Sequence, residues 1–127
     1  MDAFTMPLPA LLETGHTTLA ASYRADDPWA ITIGFDAVQP GLKWTLSREL
    51  VADALVYGQA GVGDLNVTAR GDLVILGLST PDGSAAVVLR RDEVADLLHR
   101  TFELVRPGTE PACLDWSDIT DFPGVTL

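Results

Sequence analysis

The chain has few of the side chains on which metal and redox chemistry depend. Its 127 residues include one cysteine and two histidines. The single cysteine, Cys113, excludes a disulfide within the chain and is typical of a reducing cytoplasm. A zinc site takes three or four ligands at recognisable spacing, which His16, His99 and Cys113 do not supply. We therefore expect a cytoplasmic protein with no metal site and no cofactor.

Positive charge is also scarce. There are 8 Lys+Arg residues against 18 Asp+Glu residues, which gives a formal net charge of −10. Proteins bind phosphate backbones through clustered Lys and Arg that release counterions, so an acidic chain is poorly suited to this task. The same charge disfavours anionic membrane surfaces. We expect that nucleic acid is not the main partner and that the protein does not insert into membranes.

Long apolar runs are absent from the sequence. No stretch approaches the roughly 20 residues that span a bilayer, and "MDAFTMPLPALLETG" has no basic region before its apolar residues, unlike a signal peptide. Hydrophobic residues make up 47% of the chain, as in a globular protein. The length predicts one domain over residues 1–127, with 1–16 and 113–127 as flexible or partner-contacting segments.

Short runs of β-branched and aromatic residues, separated by turn signals, predict an antiparallel sheet. The turn signals are "ADDP", "QPG", "ARGD" and "TPDG". Connections between consecutive strands are short, and parallel pairs need a crossover of a dozen or more residues, so these strands pair antiparallel. The predicted strands cover residues 17–23, 29–35, 42–46, 63–69, 72–78 and 84–90.

Two segments have the apolar spacing of helices. "SRELVADALVYG" begins at Ser47, a good N-cap, and ends at Gly58; its pattern leaves Arg48 in solvent. "RDEVADLLHRTFELV" begins with Asp92 as N-cap and places Leu97 and Leu98 in the core or against a neighbouring subunit. The predicted order is three strands, a helix, three strands and a helix. The fold class is therefore α+β, a curved antiparallel sheet with two main helices.

No group of residues has the spacing of a catalytic site. Asp26 and Asp27 precede Pro28 with no further acid at loop spacing, so a turn is a better interpretation than a metal site. "GQAGVGDL" (58–65) lacks a third glycine and leads into a strand, which favours a flexible connection over a phosphate loop. Cys113 has no base near it in sequence. We predict that the protein is not an enzyme.

The distribution of aromatic residues indicates contacts with other chains. A mean hydropathy of +0.21 is high for a small domain, which buries a small fraction of its surface. Homo-oligomerisation would cover part of this apolar content. Interface cores favour aromatic residues, so Trp44, Trp116 and Phe122 are the candidate interaction or oligomer surface. The acidic tail that carries Trp116 and Phe122 has a second interpretation, as a docking segment for another protein.

Five segments, in order, resemble the signature of the SsgA-like proteins, the sporulation and cell-division regulators of filamentous actinomycetes. "YRADDPWAITIGF" is similar to the family's Tyr, DP-aromatic corner and strand, and "KWTLSRELVADAL" to its W-x-x-x-R-(D/E)-L-L-x-x-G-L stretch. "GVGDLNV", "LSTPDGSA" and "LLHRTFELVRPGTE" are similar to its G-x-G-D-V, L-S-S-P-x-G-x-A and F-L-x-R-T…V-P-P-G-T-E segments. The resemblance covers roughly residues 20–115.

The resemblance implies a non-enzymatic, cytoplasmic protein at division septa that helps to position or recruit the tubulin-like division ring. It also implies a fold like the whirly single-stranded nucleic-acid-binding domain, assembled as a homotrimer. A whirly-type nucleic-acid binder is thus the alternative function, although the acidic charge argues against it. The sequence departs from the family pattern in two places. "GDLNVTA" lacks the family's Trp and Pro, and the Pro-containing "MPLPALLET" replaces the family's N-terminal strand, so we expect the first strand to be short or disordered.

Overall fold

The computed structural model describes residues 2–81 and 83–113, and within these ranges the chain is built from two similar halves. Each half consists of four strands followed by a helix. The elements of the first half are β1 (Ala3–Leu12), β2 (Gly15–Arg24), β3 (Ala30–Gly34), β4 (Lys43–Ser47) and α1 (Arg48–Tyr57). Those of the second half are β5 (Gln59–Val62), β6 (Leu65–Arg70), β7 (Leu73–Thr80), β8 (Gly83–Arg90) and α2 (Arg91–Leu104), after which Glu110–Cys113 form a 3₁₀ turn.

All eight strands belong to one antiparallel sheet in the order β4-β3-β2-β1-β8-β7-β6-β5. Consecutive strands pair within each half, and the halves meet where β1 pairs with β8 at Ala10↔Leu89 and Leu11↔Val88. The edge strands are β4 and β5. The sheet curls strongly, because the β4 residue Trp44 and the β6 residue Leu65 line one cavity although their strands lie near opposite edges. The predicted α+β class with a curved antiparallel sheet is confirmed.

The predicted count of three strands before each helix is wrong at the N-terminus. The expectation of a short or disordered first strand fails because β1 pairs with β2 along its whole length, from Ala3↔Arg24 to Leu12↔Gly15. Pro7 and Pro9 cannot donate hydrogen bonds, but residues two apart direct their backbone nitrogens to the same strand edge. On that edge β1 pairs with β8 only at Ala10 and Leu11, so both prolines are tolerated.

A second additional strand, β5, replaces the predicted flexible connection after α1. Gln59–Val62 pairs with β6 from Gln59↔Thr68 to Val62↔Leu65. A positive φ of 59° at Gly63 turns the chain between the two strands. The Cβ that a side chain would add at Gly61 lies 3.3 Å from the Leu65 carbonyl oxygen, so this position favours glycine. The glycine-rich segment therefore belongs to a β5–β6 hairpin and is not a flexible loop.

The first helix begins and ends as the sequence predicts, and the second begins two residues earlier than predicted. Ser47 accepts a hydrogen bond from the Leu50 N–H at 3.2 Å, and Gly58 ends α1 with φ of 89°. Arg90, not Asp92, is the N-cap residue of α2, and it makes no side-chain cap. Asp92 lies within the first turn, where its carboxylate accepts from the Glu93 N–H at 2.9 Å and suits the helix dipole.

One face of the sheet packs against both helices and forms the core. Alternating strand residues point to this inner face, among them Ile31 and Ile33 of β3, whereas Trp29 lies before the strand and is 42% exposed. From α2, Leu97 and Leu98 join the same core, as predicted. Neither helix, nor any other within the described residues, has the length and apolar composition to cross a bilayer.

Candidate functional site

The stretch from Tyr23 to Trp29 forms a turn that is held by backbone hydrogen bonds and by the Tyr23 side chain. The Asp27 N–H donates to the Arg24 carbonyl at 3.1 Å, and the Ala30 N–H to the Asp27 carbonyl at 3.3 Å. The buried Tyr23 hydroxyl donates to the Pro28 carbonyl at 2.8 Å. These bonds confirm that "ADDP" is a turn.

The turn is anchored to both helices by Arg48, which is only 3% exposed. Its Nη1 donates to the Tyr23 hydroxyl at 3.0 Å and to the carbonyls of Thr101 at 3.2 Å and Val105 at 2.8 Å. The Thr101 carbonyl lies in the last turn of α2, where it also accepts the Val105 N–H at 2.8 Å, and the Val105 carbonyl belongs to the C-cap residue. The Arg48 guanidinium also lies over the rings of Tyr23 and Phe102, at 5.6 and 5.1 Å from their centroids.

The prediction that Arg48 lies in solvent is therefore wrong. Helical periodicity describes where a side chain leaves the helix, and Arg48 is the first residue of α1, directly beside the end of β4. Its long side chain is buried there, and its guanidinium lies among acceptors. Arg48 thus connects the first half of the chain to the C-terminal end of α2 in the second half.

Glu110 completes this cluster. Its Oε2 lies 3.1 Å from Arg48 Nη2, and its Oε1 accepts from the Gly108 N–H. A hydrogen bond from its own backbone N–H, together with Arg48 and the Gly108 N–H, lowers the pKa of Glu110 below its ordinary value of 4.5. The ionised carboxylate therefore holds the start of the Glu110–Cys113 turn against the helices.

The cluster predicts a loss of stability in acid. A lowered pKa means that the ionised Glu110 stabilises the fold at pH above 4.5, and that this contribution disappears as the pH falls through the folded-state pKa. We expect the melting temperature of wild type to fall more between pH 6 and about pH 3 than that of Glu110→Gln. Thermal denaturation followed by circular dichroism measures both. Equal slopes for the two proteins would contradict this role.

Asp26 forms an ion pair with Arg24. Arg24 Nε and Nη2 each donate to its carboxylate at 2.9 Å, and this interaction lowers the pKa of Asp26. Within residues 2–81 and 83–113 there is no group of three His, Cys, Asp or Glu side chains that would hold a metal ion. The pair is exposed and contributes little to stability.

We expect the melting temperature to be the same with and without added Ca²⁺ or Mg²⁺, because the two adjacent acids stabilise a turn and do not coordinate an ion. Asp26→Ala is expected to change stability only slightly, like the exposed control Asp72→Ala. Differential scanning fluorimetry compares these proteins. A metal-dependent rise in the melting temperature that Asp26→Ala or Asp27→Ala abolishes would overturn the interpretation.

A cavity of about 400 Å³ lies beside the connections between β1 and β2, β3 and β4, and β7 and β8. We call it the tip cavity. Its wall is mainly apolar, and it includes Ala85, which is exposed although it points to the inner face opposite the buried Leu78. Its lining residues are Leu12, Glu13, Thr14, Phe35, Val38, Leu42, Trp44, Leu78, Gly83, Ser84, Ala85, Ala86 and Val87.

Trp44 is the one candidate interaction residue that falls within the described ranges. It is half-buried on β4, packs against the core and lines the tip cavity. It also lines a neighbouring cavity of about 350 Å³, the edge cavity, with Thr45, Ser47, Leu50, Asp64 and Leu65. Trp116 and Phe122 lie outside the described residues. A role for these three aromatics in binding stays a prediction.

The cavity and the Arg48 cluster are the features that sequence reasoning missed. The signal for the cavity was the excess of apolar residues, which did not show where they are exposed. The burial of Arg48 could have been suspected from its place in the sequence, because it follows the N-cap Ser47 directly and Ser47 also ends β4. His99 is exposed on α2 and pairs with Glu103 at 2.8 Å, and His16 is exposed on β2. The structure does not bring the two histidines into one site.

Comparison with known proteins agrees with the motifs. The family model described as "Streptomyces sporulation and cell division protein, SsgA" matches residues 17–110. A sporulation-specific cell division protein SsgB from Saccharopolyspora erythraea is 35% identical over 103 residues, which cover 78% of this chain and 70% of that protein. The SsgB of Salinispora tropica is 36% identical over 121 residues, or 90% of this chain and 78% of its own.

Solved structures show the same fold. An SsgB structure concerned with longitudinal cell division during sporulation of Streptomyces coelicolor superposes with a TM-score of 0.75 at 26% identity, over 88% of this chain and 95% of that one. The structure of an SsgA-like sporulation-specific cell division protein from Thermobifida fusca superposes with a TM-score of 0.77 at 27% identity. The superposition covers 94% of this chain and 91% of that one. The chain belongs to the SsgA family of sporulation and cell division proteins.

Proposed function

We propose that the protein is a non-enzymatic regulator that acts in the cytoplasm at division septa, where it helps to position or recruit the tubulin-like division ring through protein–protein contacts. The observation that carries this proposal is the relationship to sporulation-specific cell division proteins over most of the chain. Its relatives share the fold as well as the sequence. The mainly apolar tip cavity is a surface suited to a protein contact.

Fluorescence localisation tests the proposed site of action. The full chain, fused to a fluorescent protein, is expressed in sporulating hyphae of a Streptomyces host, with the fluorescent protein alone as control. We expect regularly spaced foci or bands that coincide with membrane-stained septa. A signal that remains diffuse throughout sporulation, in cells where the fusion is intact, would argue against action at septa.

Single-stranded nucleic acid is the alternative partner, and the charge argues against it. A net charge of −10 repels a phosphate backbone, and aromatic stacking platforms act together with basic grooves. We therefore place protein contacts first. A gel shift with oligo-dT at low salt distinguishes the alternatives, because a whirly-type binder retards the oligonucleotide and a septal regulator that acts through protein contacts does not.

We expect the isolated protein to be a homo-oligomer, with a trimer as the specific proposal. The high mean hydropathy and the exposed side chains of Val56 and Tyr57, at 73% and 78%, leave apolar surface for a second copy to cover. Multi-angle light scattering at tens of micromolar protein measures the mass. A mass near the monomer value of 13.6 kDa would refute the oligomer. Deletion of residues 113–127 tests whether the acidic tail holds it together.

A further inference from the structure

The tip cavity is an uncovered continuation of the core. Further along the strands, Leu8, Ile33 and Leu76 lie under the helices together with Val51 and Leu97. Towards the hairpin ends the same inner face carries Leu12, Phe35, Leu42, Trp44 and Leu78. None of the described residues that line the cavity there belongs to a helix. An apolar wall around about 400 Å³ is of the size that buries one or two large side chains or a small ligand.

The neighbouring edge of the sheet is suited to an extended segment. Among the described residues, β4 pairs only with β3, so its outer edge has unpaired backbone groups. The edge cavity runs along this side from Trp44 to Ser47, and Trp44 lines both cavities. A peptide that adds to β4 as a further strand directs alternate side chains into such pockets. The two cavities adjoin at Trp44, and we call them together the groove along β4.

The charges along the groove have one sign. Of the described residues that line the tip cavity, Glu13 is the only charged one. Likewise, Asp64 is the only charged residue among the described residues that line the edge cavity. Lys43 alternates with Trp44 on β4 and so points to the opposite face. The net charge of −10 adds a long-range field of the same sign. The groove therefore favours a cationic segment.

We propose that the groove along β4 binds an extended peptide segment of another protein, in which a large apolar side chain enters the tip cavity and neighbouring Lys or Arg residues face Glu13 and Asp64. The proposal rests on the proposed action through protein contacts and specifies the chemistry of one partner. The backbone edge of β4 supplies hydrogen bonds, the cavity supplies apolar burial, and the two carboxylates select against acidic segments.

A selection from random peptides tests this without a known partner. Random peptides displayed on phage are selected on the immobilised full chain and counter-selected on Ala85→Glu, which places a carboxylate on the exposed part of the cavity wall. We expect the enriched sequences to share a Leu, Phe or Trp with Lys or Arg beside it. An absence of enrichment, or enriched sequences without basic residues, would overturn the proposal.

The most enriched peptide is then labelled, and its affinity is measured by fluorescence anisotropy. We expect Ala85→Glu to weaken binding by about tenfold or more, because an unpaired carboxylate in an apolar contact is strongly unfavourable. Glu13→Gln is expected to weaken it about two- to fivefold, an exposed ion pair's usual effect, and to reduce its dependence on salt. Circular dichroism verifies that each variant is folded.

Two matched controls separate the groove from general charge effects. Ala20→Glu adds the same charge at an exposed position of β2 whose neighbours Leu19 and Ala21 are buried, so it lies on the outer face. Glu49→Gln removes one charge from the exposed surface of α1. Both are expected to bind the peptide like wild type. Equal losses in the controls and the groove variants would overturn the proposal.

Two further outcomes have distinct meanings. If Ala85→Glu lowers the mass in light scattering and no peptide is enriched, a second copy of the chain covers the groove and the peptide proposal is wrong. If peptides bind as expected but the fluorescent fusion never reaches septa, the groove is established and the proposed function fails. Septal localisation without any peptide binding would overturn the inference and leave the proposed function intact.

Discussion

Replacement of Arg48 by alanine is expected to destabilise the fold by about 3 kcal/mol or more and to lower the melting temperature by about 10 °C or more. Three hydrogen bonds of the buried guanidinium are lost: those to the Tyr23 hydroxyl and the Val105 carbonyl, and the one to the Thr101 carbonyl, which keeps its bond from the Val105 N–H. Hydrogen bonds to charged groups contribute more than neutral ones, and their unpaired partners are costly when buried. Urea denaturation and thermal melting measure the loss.

Two variants test whether the guanidinium itself is responsible. Arg48→Met keeps most of the apolar stem and is expected to remain clearly destabilised, because it lacks the donors. Arg48→Lys keeps a charge without the planar fork and is expected to recover only part of the stability. Arg100→Ala is the matched control, since Arg100 is half-exposed and pairs with Asp96 at 3.4 Å on the surface of α2. If Arg48→Ala melts like Arg100→Ala, Arg48 does not anchor the helices.

Leu98→Ala is expected to have an effect of similar size, a loss of about 2–5 kcal/mol. Leu98 is 4% exposed and belongs to the core cluster that joins α2 to the inner face of the sheet. Truncation removes apolar contacts and leaves a cavity that rigid neighbours fill only in part. A loss of this size is a large share of the stability of an ordinary domain. Chemical denaturation monitored by tryptophan fluorescence measures it.

The control for this prediction is Val56→Ala on α1. Val56 is 73% exposed, so its truncation removes few contacts and is expected to change stability by about 0.5 kcal/mol or less in the monomer. If Leu98→Ala behaves like this control, the inward face of α2 has been assigned wrongly. If Val56→Ala instead weakens the oligomer, as light scattering would show, the exposed surface of α1 belongs to the subunit interface.

Local signals were sufficient for the parts of the fold that depend on neighbouring residues. Ser47 and Gly58 marked both ends of α1, and the spacing of Leu97 and Leu98 placed α2 on the core. Short connections required antiparallel pairing. The sequence pattern did not reveal β1, because Pro7 and Pro9 disfavour a strand unless their nitrogens face an unpaired edge. That condition depends on the limited pairing of β1 with β8, which is a tertiary property.

The candidate site was less predictable for a similar reason. The surroundings of Arg48 come from Tyr23, Thr101, Val105 and Glu110, each of which lies far from Arg48 in sequence. The tip cavity is lined by residues around three strand connections that are separated in sequence, and no local pattern shows that these connections meet. Trp44 was chosen as a candidate interaction residue because of its residue type alone. The structure places it in the walls of two cavities, and its role in binding stays a prediction.

The most direct test of the central claim is the order of events at the septum. Two-colour time-lapse imaging follows this protein and the tubulin-like division ring in sporulating hyphae, with a strain that lacks the protein as comparison. If the protein positions the ring, it marks future septa before or together with the ring, and ring ladders are misplaced or missing without it. Rings that assemble first, and that keep their spacing in the strain without the protein, would show that it does not position them.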